Sequence, residues 1–436
     1  MPDSNRSIDA STRRFDEYID ALVGELGRVT RAEPFRSYCT ALLLPGERKS
    51  VEPLAAAVNP SNVRQTHQSL HHFVADSPWN DEAILARVAQ LALPALQQRA
   101  PISVWIVDDT GLPKKGDYSV GVAHQYCGQL GKQSNCQVAV SLSVANEHAS
   151  LPIAYRLYLP RSWADDQARR DAAGVPPEII FETKPEISLG QIRQAIASGL
   201  APGVVVADAA YGNDNAFRDG LRALGLRYAV AIQSSVSIWR PGESPLAPQQ
   251  RRRKKTGRPI TNVAHAPKLK PISVLDLARE LPASAFRRIT WREGTKKSLH
   301  SRFAAVRVRI AHGDRERSTL REKEWLLIEW PRDEESPTKY WLSTLDESTS
   351  KTELVRTVMT RWRIERDYQN LKQELGLGQY EGRSWRGFHH HATLCFAAYG
   401  FLIIDQEGFS PFDRPRQMQF TQPAVPDDFR PRGSAK

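Results

Sequence analysis

The sequence predicts an α/β protein: a mixed β-sheet with helices against it, a β-rich insertion in it, and an α-helical region before it. Three changes of periodicity carry that prediction. Apolar residues recur at three- and four-residue spacing from residue 13 to about 98, as in RRFDEYIDALVGELGRV and DEAILARVAQLALPALQQR, which is a helical period. From residue 102 the apolar runs are short and β-rich, with helical segments between them. From 285 to 346 strand-like alternation returns, after a break rich in Pro, Gly and basic residues.

Residues 1–98 form the helical region, punctuated by Asn59-Pro60-Ser61 and Asp76-Ser77-Pro78. Ser61 is placed to cap a helix through VRQTHQSLHHFV, whose Arg64, His67, His71 and His72 suit phosphate contacts or a solvated face equally. Residues 99–235 begin the sheet. ISVWIVDD (102–109) is a strand ending in two acids, and CQVAVSLSVA (136–145) and PIAYRLYLP (152–160) follow as an antiparallel meander. EISLGQIRQAIASGL is a helix, GVVVADAAYG (203–212) a buried strand ending in an acid, NDNAFRDGLRALG a helix and LRYAVAIQ a strand. Residues 236–346 hold the basic loop PGESPLAPQQRRRKKTGRPITN and the β-rich insertion, with FAAVRVRIA and KEWLLIEW as strands. Residues 347–405 return to helix. TSKTELVRTVMTRWRIERDYQNLKQELGL reads as one long helix opened by Ser350 or Thr352. Residues 406–436 are Pro-rich and read as a poorly ordered tail.

Composition narrows the function. The 436 residues suffice for two or three domains and a sizeable core. Sixty Lys and Arg against 49 Asp and Glu give a net charge of +11, which favours a polyanionic partner such as nucleic acid. Cys39, Cys127, Cys136 and Cys395 form no CxxC pair, so reduced thiols are expected and a structural zinc site is not. The N-terminus shows no apolar signal region, and no run approaches the roughly 18 apolar residues of a membrane span.

The most informative stretch is RWRIERDYQNLKQE (361–374). On a helix, Arg361, Glu365, Tyr368 and Lys372 fall within roughly 60° of one another, beside an apolar stripe of Ile364, Leu371 and Leu375. Alone, that stripe is also compatible with a solvated surface carrying an Arg361–Glu365 ion pair. Two strand ends change its meaning. Asp108 and Asp109 end the first strand, Asp208 ends the fourth, and sites in such sheets collect at strand ends. Adjacent carboxylates repel unless a proton or cation joins them, and oxygen-only ligation suits Mg²⁺ or Mn²⁺. Glu365 on a helix over that edge is a candidate third ligand. Two such ions, about 4 Å apart, activate a water or 3′-hydroxyl and stabilise the leaving oxygen in phosphodiester chemistry. The competing reading makes Asp109 a turn cap and Asp208 an Asx-turn.

VDDTGLPKKG (107–116), VVADAAYGND (205–214) and RWRIERDYQNLK (361–372) resemble the corresponding motifs of DDE transposases of bacterial insertion sequences, in the branch with a Y-x2-R-x3-E-x6-K signature. The resemblance runs from about 100 to 395 and implies a ribonuclease-H-like catalytic domain with a β-rich insertion, preceded by a helical DNA-binding domain. It implies Asp108, Asp208 and Glu365 as ligands of two Mg²⁺ (or Mn²⁺) ions. The family's D-x-T pattern selects Asp108 with Thr110, and a direct D-T reading selects Asp109. Arg361 and Lys372 match the R and K that hold phosphates. The Y position holds Val358, a departure for which Tyr368 on the same stripe is a candidate substitute. The branch forms a hairpin at the DNA end and stacks a flipped base on an aromatic of the insertion, where Trp341 and Tyr340 of KYWLSTL stand; a core aromatic is the other reading.

By the same resemblance the partners are double-stranded DNA, as terminal inverted repeats and target, and a second copy of the chain in a synaptic dimer. The expected compartment is the bacterial cytoplasm, at the nucleoid, with no membrane. Lys114, Lys115 and Arg383 are candidate DNA contacts, as is the basic run at 251–259. His389-His390-His391 cannot easily share one ion, because successive helical residues point about 100° apart; phosphate contact or a solvated helix end is expected there.

Overall fold

In the computed structural model, residues 2–247, 262–265, 269–292 and 298–406 are described; the basic run at 251–259 and the tail beyond 406 lie outside them. The helical period of the N-terminal region yields α1 (Pro2–Val23), α2 (Ala32–Leu43), α3 (Val51–Val58), α4 (Val63–Ala75) and α5 (Asp81–Leu96). The N-cap of α4 is Asn62 and not Ser61, whose hydroxyl instead bonds the Asn59 side chain.

Strands β1 (Val104–Pro113), β2 (Ala123–Cys127), β3 (Lys132–Ala145) and β4 (Ser150–Leu157) follow. The expected meander gains a member, since the polar AHQYC of β2 carries no apolar run to announce a strand. Helices α6 (Arg161–Ala164), α7 (Gln167–Ala173) and α8 (Lys184–Ala197) lead to β5 (Val204–Ala207). A capping box of Thr183 and Glu186 opens α8. After α9 (Ala209–Gly212) and α10 (Asn215–Ala223) comes β6 (Tyr228–Ile232). Strand β3 runs antiparallel to β1 and β4 antiparallel to β3, while β5 and β6 run parallel to β1 on its other side. This is the ribonuclease-H-like mixed sheet that the resemblance implied.

The insertion supplies β7 (Ser237–Trp239), β8 (Ile272–Ser273), α11 (Val274–Glu280), β9 (Arg287–Arg292), β10 (Leu299–Ile310), β11 (Glu324–Glu329) and β12 (Lys339–Ser343). It continues the same sheet, because β12 pairs antiparallel with β6 and carries β11 and β10 outward. Buried polar groups brace that junction: Glu324 takes Arg222 at 2.7 Å and the Tyr228 hydroxyl at 2.8 Å.

The predicted long helix is two: α12 (Lys351–Met359), capped by Ser350, and α13 (Trp362–Gln373). Between them Arg363 and Ile364 donate to Thr360 and Arg361 in i→i+3 fashion, and the Thr360 hydroxyl bonds back to Arg356. Such tightening bends the axis at Arg361.

Helix α14 (Trp385–Gln406) is buried for nearly all its length. The apolar core is continuous from Tyr18 to Ile404, so α14 and the N-terminal helices share one interior. The three histidines are therefore neither solvated nor ligands. His389 bonds Trp385 O and Leu157 N, His390 faces Val74 O and Trp79 O, and His391 bonds the Tyr38 hydroxyl and Gly376 O. They pin α14 to three separate elements. No helix among the described residues is long and apolar enough to cross a membrane.

Candidate active site

Val104, Trp105, Ile106 and Val107 are apolar without alternation because the opening of β1 is covered on both faces. β1 and β5 pair in parallel at an offset of 100, with Val104 opposite Val204 and Ile106 opposite Val206. Continued two residues, that register sets Asp108 level with Asp208, where the ladder ends. Asp208 caps α9 with its Oδ1 accepting from Ala210 N at 2.9 Å, so the Asx-turn and the strand-end position coexist.

Arg361, at the break between α12 and α13, reaches these acids. Its Nη2 lies 3.2 Å from both carboxylate oxygens of Asp108, and its Nη1 lies 3.3 Å from Glu365 Oε1. Burial pushes the Asp108 carboxyl up to about 7, Arg361 opposes this, and the charges of Asp109 and Asp208 add to it. Burial works against the Arg361 charge, but Asp108, Asp208 and Glu365 together raise its pKa. All three acids thus act on one cation. Glu365 is 69% exposed and projects outward, while Ile364, Leu371 and Leu375 beside it are buried as the stripe required.

Asp109 points to the opposite face, as strand alternation demands. It pairs with Lys184 Nζ at 3.0 Å and accepts from the Tyr211 hydroxyl at 3.4 Å. Neither partner was identified from the sequence. Lys184 carries no signal beyond its place behind a capping box, and the contact spans 75 residues.

Lys372 donates to Gly111 O at 3.0 Å, three residues beyond Asp108 on β1. Tyr368 does not present its hydroxyl to an open face: it is buried against β3 and bonds Ser141. Tyr340 and Trp341 are 3% and 6% exposed on β12 between two neighbouring strands, so both are core residues and not a stacking surface. Lys115 and Arg383 are exposed, whereas Lys114 is half-buried with its Nζ on Tyr380 O at 2.6 Å. Val358 is buried on the inner face of α12.

The donor set is three carboxylates, which suits a hard cation. As the side chains stand, Asp108 and Glu365 meet Arg361 while Asp208 caps α9, and among the described residues no three His, Cys, Asp or Glu groups share a point that would hold a metal.

The fold is that of the ribonuclease-H-like nucleases, and the chain belongs to the DDE superfamily endonucleases, whose family model matches residues 21–298. The match ends before Glu365. The chain is also similar to a protein described as a probable transposase for insertion sequence element IS701, from Microchaete diplosiphon, with 33% identity over 228 residues. That stretch is 52% of this chain and 56% of the relative, so the chain spans about half the length of the curated relative it matches.

Proposed function

We propose that this protein is a cut-and-paste DNA transposase, which cleaves DNA at the ends of a mobile element and joins the freed 3′-hydroxyls to target DNA. The observation that carries this reading is Arg361 bridging Asp108 and Glu365 on β1 and α13, with Asp208, just after β5, level with Asp108. The similarity to the IS701 protein supports joining as well as cutting.

In this reading Asp108, Asp208 and Glu365 hold two Mg²⁺ or Mn²⁺ ions, which supply Lewis acidity and lower the pKa of an attacking water. Arg361, released from the carboxylates, offers a planar fork to a phosphate, and Lys372 a point charge nearby. Asp109, tied to Lys184 and Tyr211, orients the strand end and does not touch the reacting atoms. Terminal repeats and target are double-stranded DNA, bound by a dimer in a synaptic complex.

The test supplies labelled duplex ends with free 3′-hydroxyls, a supercoiled plasmid and Mg²⁺. Joined products that vanish in Asp208→Ala and Glu365→Ala are expected. Cleavage without joining makes the protein a nuclease on the same fold. DNA chemistry that persists unchanged in both variants removes these acids from the reaction.

A further inference from the structure

Beyond the carboxylate edge, a cavity of about 390 Å³ opens at the far end of β1. Its wall comes from three separate parts of the chain: Arg48 and Ser50 before α3, Lys114 and Lys115 just after β1, and Gln379 and Tyr380 after α13. Three cations and one acid, Glu381, meet there.

The cavity is aligned with the reaction centre. The bond of Lys114 N to Asn135 O carries the pairing with β3 one residue past Pro113, so alternation over six residues keeps Asp108 and Lys114 on one face. The chain from Arg361 onward follows β1 along that face. Arg361 sits on Asp108, Lys372 on Gly111 O, Gly378 beside Leu112, and Tyr380 O on Lys114 Nζ. Cationic groups thus recur every three residues, or about 10 Å along the strand.

Each cavity cation is differently committed. Lys114 is anchored to Tyr380 O, and burial pushes its ammonium down to about 8 although Glu381 opposes this, a penalty that an adjacent anion would relieve. Lys115 is exposed. Arg48 pairs with Glu381 at 3.0 Å, but both side chains are about 70% exposed, and such a pair yields readily to a phosphate. Beside Ser119 on the rim, Tyr118 is 74% exposed with the Arg383 guanidinium 5.1 Å from its ring, so an aromatic is interleaved with the cations. Aromatic and basic groups together suit nucleic acid better than a free inorganic anion.

We infer that this cavity binds a backbone phosphate of the DNA about six base pairs from the phosphate at Asp108. The distance follows from six strand residues, roughly 20 Å, and the rise of about 3.4 Å per base pair. The inference rests on the DNA-processing reading above. The cavity then sets the register of the duplex on the enzyme, and the loop before α3 contributes directly to DNA binding.

Anisotropy of the full chain with a fluorescein-labelled duplex bearing the element's own end, titrated with salt, tests the contact. Arg48→Ala/Lys115→Ala is expected to melt as the wild type does and to lower the slope of log K against log salt by about 2. An unchanged slope overturns the inference. Position is read by cross-linking: all four native cysteines are buried, so Lys115→Cys offers one exposed thiol for a photo-activated tether. Cross-links about six base pairs from the cleavage site support the cavity; cross-links at the cleavage site or spread evenly overturn it. Wild-type protein that binds no DNA at any salt defeats the DNA-processing reading as well. Cleavage lost in Asp208→Ala alongside an unchanged slope defeats the cavity alone.

Discussion

Arg361 grips Asp108 through one guanidinium nitrogen, 3.2 Å from each carboxylate oxygen, while its other terminal nitrogen reaches Glu365 at 3.3 Å. A cation of the chain itself therefore stands among the acids assigned to metal. Divalent ions and Arg361 then compete for the same charge. In Arg361→Gln the acids lose their resident counter-ion, so the protein without metal should melt several degrees lower. Added Mg²⁺ should stabilise this variant more than the wild type. Differential scanning fluorimetry with and without Mg²⁺ measures both, and equal Mg²⁺ shifts would show that the guanidinium does not obstruct the site.

The two adjacent acids of β1 should separate cleanly in kinetics. Asp108→Asn should reduce single-turnover cleavage by roughly a thousandfold or more, on the scale of losing a group that acts on the transition state. Asp109→Asn breaks only the contacts with Lys184 and Tyr211, and cleavage should stay within about tenfold of wild type. The reverse order would make Asp109 the first ligand.

Close packing behind the edge sets a structural prediction. Gly212 ends α9 against β6, and a Cβ there would lie 1.8 Å from Ala231 O, a backbone atom that cannot swing away. Gly212→Ala should cost about 3 kcal/mol or more, seen as a large loss in urea midpoint, because the clash moves the strand beside Asp208.

The α14 histidines give the fold a pH limit. Burial pushes His391 down to about 4, although its bond to Gly376 O opposes this, against an ordinary value near 6.5. The unfolded chain takes up a proton that the folded chain refuses. This contribution is full above about pH 6.5 and is lost as pH falls toward about 4. His391→Gln should cost about 1–3 kcal/mol at pH 7.5 through the lost Tyr38 and Gly376 contacts, and its stability should fall less than the wild type's between pH 6.5 and 4.5. Urea melts across that range check the sign.

Much of the sheet is legible because burial on both faces demands uninterrupted apolar strands such as VVVA of β5 and the VWIV opening of β1. The polar β2 is not, since its pairing comes from a hairpin with β3 and not from an apolar pattern. The stripe of 361–374 is legible as a stripe, yet its division is not. Glu365 goes to solvent and Tyr368 to the interior, because the face of α13 that carries Tyr368 packs against Ser141 of β3. His389, His390 and His391 mislead because a polar triplet usually marks a helix end, whereas here three distant carbonyls and an amide absorb it.

The sequence by itself determined most of the order of elements and the acid that follows β5, because periodicity is a local property of the chain. It did not place Asp108 and Asp109, which lie inside β1 and not at its end, since pairing with β3 carries the strand on to Pro113. Only the tertiary structure decided which groups meet. A parallel register offset by 100 residues sets Asp108 level with Asp208, Arg361 at the break between two helices meets Asp108, and three distant segments close a basic cavity around Lys114. The Arg361–Asp108 and Lys114–Tyr380 contacts span 253 and 266 positions, and no local pattern encodes a distance that packing alone fixes.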